Sequence, residues 1–168
     1  MDVTDKTTVA EAAPFLKPEH LQQLIESDRI APIKGDKSVF EMTIGEFLQC
    51  LSDDYALQFF NNPDELLVVA VGRLKHFKSE TDNVNRILSL NEIKLTAEEK
   101  AAQRGVVFPS FGESVLCETV EYFHLNSFEE AEKIPLTNYL IMKRKKGAEA
   151  LYSRNLNRIY SEKSNKKK

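Results

Sequence analysis

The chain has no tryptophan, and its 168 residues hold only two cysteines, three histidines and six glycines. Each scarcity excludes something. Two cysteines, Cys50 and Cys117, cannot make a disulfide framework, and both fall within apolar helical patterns, so both are expected as buried thiols in a reducing compartment. His20, His76 and His124 lie far apart and show no CxxC, HExxH or HxxxH spacing, so no local metal site is expected. No G-x-x-x-x-G-K-[ST] or G-x-G-x-x-G occurs, so no phosphate loop is expected. Ser114 lacks the second glycine of a nucleophile elbow and reads as a polar helix position. Cys117 with His124 is better explained by core packing than by a thiol–imidazole pair. Asp53-Asp54 and Asp64-Glu65 read as helix starts rather than metal ligands. The longest apolar run, Leu66 to Val71, is six residues and cannot cross a membrane. The segment Met1 to Asp5 has neither a basic region nor a long apolar one, so no signal peptide is expected. No catalytic, cofactor-binding or metal-ligating residue is assigned, and the protein is expected not to be an enzyme.

What is present is helical pattern and polarised charge. Hydrophobic residues make up 42% of the chain and charged residues 29%, ordinary for one globular domain. The net charge is −3, but the last 26 residues hold ten Lys/Arg against two Glu. That surplus of +8 leaves −11 on the first 142 residues. An acidic body with a basic end suits an anionic partner or a second copy of the same body.

Residues 1–13 are polar, small and aperiodic and are expected to be disordered. Pro18 and Glu19 open a helix with Leu21, Leu24 and Ile25 on its apolar face. The two short apolar runs Ile30–Ile33 and Val39–Met42 flank a Gly35-containing turn, the pattern of a β-hairpin near residues 30–42. Thr43 and Glu46 have capping-box spacing, and a short helix carries Tyr55, Leu57, Phe59 and Phe60. Asn62-Pro63-Asp64-Glu65 predicts the start of the longest helix at Pro63. Its seam is Leu67, Ala70, Leu74, Phe77, Thr81, Val84 and Leu88, weakened near Ser79. Thr96 and Glu99 form a further box, and Gly105 suits a left-handed position after that helix. Phe111 to Phe123 is amphipathic and should end near His124. Ser127 and Glu130 start another short helix that Pro135 stops. A helix with Leu136, Tyr139, Leu140 and Met142 inward follows, and Gly147 weakens or ends it. A further apolar stripe holds Ala148, Leu151, Tyr152, Leu156, Ile159 and Tyr160, with Arg154 and Arg158 beside it, and the chain should be loose after Ser161. The expected fold is mainly α: a single bundle of six to eight helices over 14–142, with a basic helix and tail over 143–168.

The stretch from His124 to Lys146 has the size of a helix-turn-helix. However, Glu129, Glu130 and Glu132 would face phosphates, which argues against sequence-specific DNA reading. The expected contact surface for an anionic partner is Lys143, Arg144, Lys145, Lys146, Arg154 and Arg158. Nonspecific nucleic-acid binding through this basic segment is the alternative function.

The pattern Ser127-Phe128-Glu129-Glu130, then Ile134-Pro135-Leu136 and Tyr139-Leu140, resembles a unit of small phage tail-morphogenesis proteins, including tail assembly chaperones. Phe111, Leu116 and Phe123 also fit, so the likeness spans residues 110–142. The N-terminal half has no counterpart in it. The resemblance implies a non-enzymatic assembly or virion-structural protein without a cofactor, located in the cytoplasm of a bacterial host or in the virion. Its partners would be other phage structural or assembly proteins, or copies of itself.

Overall fold

The computed structural model describes residues 6–52, 55–90 and 92–165. They are mainly helical, with eight α-helices in chain order: α1 (Val9–Ala12), α2 (Pro18–Glu26), α3 (Ile44–Cys50), α4 (Leu67–Ser89), α5 (Ala97–Ala102), α6 (Phe111–Phe123), α7 (Phe128–Glu132) and α8 (Leu136–Asn165). Three 3-10 turns join them, at Ala13–Phe15, Val39–Glu41 and Tyr55–Phe60. The chain divides into two compact units, Met1–Asn83 and Val84–Lys168, and the boundary falls inside α4.

In the first unit the N-terminal segment is ordered, against expectation. Thr8 caps α1 in a full box with Glu11, and Val9 and Ala12 are buried. Val9 N–H donates to Glu65 O at 2.8 Å, Ala10 N–H to Pro63 O at 3.0 Å and Leu67 N–H to Thr7 O at 2.8 Å. Thr8 and Leu66 form an antiparallel bridge. The composition of 1–13 concealed a capping box, and backbone pairing with 63–67 supplies the ordering that the short segment lacks alone. Residues 1–5 lie outside the described residues. The same pairing moves the start of α4 from the expected Pro63 to Leu67, because residues 63–66 serve the N-terminal segment instead of a first helical turn. Ala12, Leu67 and Val71 form a buried cluster against which Leu16, Leu21, Leu24, Ile30 and Phe60 pack.

The expected hairpin is absent, and no strand forms among the described residues. Ile33 N–H donates to Gly72 O at 2.9 Å, so the first apolar run lies along α4. Lys75 Nζ donates to Ser27 O at 2.6 Å and Ile30 O at 2.7 Å, which pins the chain entering that run. Gly72 permits the crossing: a Cβ there would sit 2.8 Å from the Ile33 side chain and 2.9 Å from Ala31 O. The second run forms a 3-10 turn instead, with Ser38 and Glu41 in a capping box. Glu80 holds that turn, accepting from Ser38 Oγ at 2.6 Å and Val39 N–H at 2.8 Å. Capping and a carboxylate therefore override the β-propensity of Val39 and Phe40.

In the second unit α5 and α6 carry full capping boxes at Thr96 and Ser110. At α7, Ser127 Oγ accepts from Glu130 N–H, but Glu130 reaches Asn126 N–H at 2.9 Å rather than closing the expected box. Gly105 (φ 79°) and His124 (φ 53°) take left-handed conformations, and His124 closes α6. Pro135 separates α7 from α8, and Leu136, Tyr139, Leu140 and Met142 are buried as expected. Gly147 does not end α8, which runs for 30 residues through it and past Ser161. Cys50 is buried but Cys117 is exposed, contrary to the expectation for both.

Candidate functional site

The six basic residues expected to meet an anionic partner all lie on α8, and the helix distributes them around its surface. Lys143, Lys146 and Arg154 fall on its inner side with Tyr139, Gly147 and Ala150, at spacings of three and four. Lys143 Nζ donates to Glu118 Oε1 at 2.8 Å, and Tyr139 Oη donates to Glu118 Oε2 at 3.4 Å, tying α8 to α6. Burial and the Glu118 charge push the Tyr139 phenol well above its ordinary range. Lys146 Nζ lies 4.0 Å from Glu121 Oε2 and 5.5 Å from the Tyr122 ring centroid, a cation–π distance. Arg154 donates to Lys94 O at 3.0 Å and to Glu99 Oε2 at 3.4 Å. Lys145 and Arg158 face Glu149 and Glu162 one turn on, at 4.0 and 3.8 Å. Of the six, only Arg144 has no ion pair among the described residues. Five of these six cations therefore face carboxylates of their own unit.

The opposite side of α8 is open, and apolar residues there alternate with Arg144, Lys145 and Asn155. Ile141, Ala148, Tyr152 and Ile159 recur at spacings of seven, four and seven, which sets them on one line along the helix. Ile141 is 67% exposed, Tyr152 68% and Ile159 43%. Tyr160, 60% exposed, and Leu151 flank that line. Ile141, Tyr152 and Ile159 are thus large apolar residues left open on one line of the helix, interrupted by Lys145 and Asn155. Sequence periodicity finds these residues readily; it does not say whether they face the body or solvent.

A second grouping escaped sequence reading. In the first unit a cavity of about 380 Å³ opens between α3, α4 and the Tyr55–Phe60 turn. Tyr55, Phe59 and Phe77 form one wall, with ring centroids 5.0 to 5.9 Å apart. Met42 and Cys50 continue it, with Cys50 Sγ 3.7 Å from Met42 Sδ. Burial raises the Cys50 thiol above its ordinary value, so it is not an activated nucleophile. Burial, assisted by the hydrogen bond with Cys50, pushes Tyr55 up to about 12. Beside Phe77 on the same face of α4, Arg73 and His76 also line it. Arg73 Nη2 donates to Glu65 Oε2, and His76 Nε2 stands 3.5 Å from Glu80 Oε1. Arg73 Nε and His76 Nε2 are buried and have no hydrogen-bond partner among the described residues. At the rim Lys37 Nζ donates to Glu46 Oε1 at 2.6 Å, and this bond holds the Glu46 carboxyl below its ordinary range. The available signal was the spacing Arg73, His76, Phe77, Glu80, which is one face of a helix.

Among the described residues no three His, Cys, Asp or Glu side chains stand close enough to hold a metal, and no helix is long and apolar enough to cross a membrane. No family model, curated protein or solved structure matches the chain.

Proposed function

We propose that this protein is a non-enzymatic assembly component that works through protein–protein contacts along the outer face of α8. The observation that carries this reading is the open row Ile141, Ala148, Tyr152 and Ile159. The resemblance of Ser127 to Leu140 to phage tail-morphogenesis proteins supplies the setting: a phage or prophage tail assembly chaperone or small virion component. Its partners would be other phage structural or assembly proteins, or further copies of itself, met in the bacterial cytoplasm or the virion. The nucleic-acid alternative is less well supported. Lys143, Lys146 and Arg154 are engaged with Glu118, Glu121 and Glu99, and freeing them for phosphate would break those contacts.

The test is photo-crosslinking in the native host, with a photoreactive phenylalanine analogue placed at Tyr152 or Ile159. The expected result is a discrete protein adduct from both positions. A folded protein that gives no protein adduct from either position overturns the proposal. Salt-sensitive nucleic-acid binding that is lost on replacing Lys143, Arg144, Lys145 and Lys146 by Gln would favour the alternative.

A further inference from the structure

We infer that the partner of the outer face of α8 is a second copy of the same helix, packed against it in the antiparallel direction. The inference rests on the reading of α8 as a contact face and adds which molecule that face meets. Ile141, Lys145, Ala148, Tyr152, Asn155 and Ile159 follow one another in alternating steps of four and three, and all six are exposed. That alternation is the seam of a two-stranded coiled coil. The inner side of the helix is already taken: Tyr139 is buried, and Lys143 and Arg154 reach Glu118 and Glu99.

The order of residues along the seam selects both the partner and its direction. In a two-fold antiparallel pair, residue i of one copy meets residue j of the other, and j meets i. Setting Ile141 opposite Ile159 of the second copy places Lys145 opposite Asn155 and Ala148 opposite Tyr152, and the same three layers then repeat in reverse. Each layer joins residues that suit one another. Isoleucine meets isoleucine, and the small Ala148 leaves room for the Tyr152 ring. The Lys145 ammonium is a donor, and the Asn155 side-chain oxygen an acceptor. Polar seam residues fix register when they are matched in this way.

Other arrangements lose these matches. A parallel pair sets every seam residue against its own copy, which puts two Lys145 ammonium groups in one layer. Slipping the antiparallel pair by one heptad leaves either Ile141 or Ile159 outside the seam. It also sets Tyr152 against Asn155, or Lys145 against Ala148. On the flank, Leu151 lies next to the two-fold axis and meets its own copy. Arg144 faces Arg158 there and Glu149 faces its copy, like charges that weaken the pair and make it depend on concentration.

The experiment uses the full chain with the exposed Cys117 replaced by Ser, Cys50 being buried. Three variants are oxidised: Ile141→Cys, Ile159→Cys and the double substitution. Cysteines at one position stand about 27 Å apart across the antiparallel pair, far beyond disulfide reach. The expected result is a disulfide-linked dimer from the double variant and from an equal mixture of the two single ones, and none from either single variant alone. Sedimentation of the unaltered protein at about 100 µM should show a dimer, and Ile159→Glu should weaken it at least about tenfold. Cross-linking of either single variant with itself, an unaffected dimer in Ile159→Glu, or a monomer at that concentration would overturn the inference. A monomer that still gives an adduct with a different protein from Tyr152 overturns the second copy as partner and leaves the α8 contact reading standing. A monomer that gives no adduct removes both.

Discussion

The two units treat their polar and apolar groups in opposite ways. In Met1–Asn83 Arg73 Nε and His76 Nε2 are buried without a hydrogen-bond partner among the described residues, and both residues line a cavity with Tyr55, Phe59 and Phe77. In Val84–Lys168 the conspicuous cations face carboxylates of the same unit, and the unpartnered surface is an apolar row on α8. One unit holds a cavity, and the other exposes large apolar side chains along a helix. Counting charges in the sequence points to the second unit alone, because it finds the lysines and not what compensates them.

Substitutions can break this comparison or sharpen it. The largest effect is expected from Leu136→Ala, which removes a side chain 1% exposed at the start of α8 and should destabilise the protein by about 2–5 kcal/mol in denaturant unfolding. Next is Gly72→Ala, at the point where residues 31–33 cross α4. An exposed helical Gly→Ala change normally stabilises by roughly 0.5–1 kcal/mol. Here the added Cβ meets Ile33 and Ala31 O, so a loss of about 1–3 kcal/mol is expected. A gain in stability would show that the crossing is loose and the cavity above it poorly framed. Thr8→Ala removes the α1 cap and should cost about 1 kcal/mol, with faster hydrogen exchange at Val9 and Leu67. Tyr152→Ser should change stability by less than about 0.5 kcal/mol while abolishing partner adducts from the α8 face. A large loss of stability from that change would mean that Tyr152 is packed within its own unit.

Alkaline pH tests both units at once. Tyr55 in the first and Tyr139 in the second have phenols raised by burial. Below about pH 10 both are protonated whether folded or unfolded, and they add no pH dependence. Above it the unfolded chain loses these protons first and the folded one holds them, so stability falls as pH rises. Phenolate absorbance should show Tyr55 titrating near 12, with Tyr139→Phe reducing the slope of stability against pH above 10.

Much of the helical skeleton was legible. Thr43 and Thr96 cap where their spacing predicts, Ser127 caps α7 though without the full box, His124 ends α6, and Pro135 divides α7 from α8. These features are local: a hydroxyl, a carboxylate three residues on, or a missing N–H acts within one turn. The Thr8–Glu11 and Ser38–Glu41 boxes follow the same rule and were legible too, but polar composition in one case and β-propensity in the other pointed elsewhere. The start of α4 and the fate of residues 30–42 were not legible, because hydrogen bonds to residues distant in sequence settle them: Glu65 and Pro63 to the N-terminal segment, Gly72 to Ile33, Glu80 to Val39.

The candidate surfaces divide in the same way. The sequence by itself determined that the protein is mainly helical, where most helices begin and end, and that its basic residues gather near one end. Helix capping and periodicity act over three or four residues, so they survive without the rest of the chain. Only the tertiary structure decided that Glu118, Glu121 and Glu99 meet those cations, that the apolar row of α8 is left open, and that Arg73 and His76 share a cavity with Tyr55 and Phe59. Those outcomes depend on which faces meet across tens of residues, and a charge or an apolar stripe takes its role from the group packed against it.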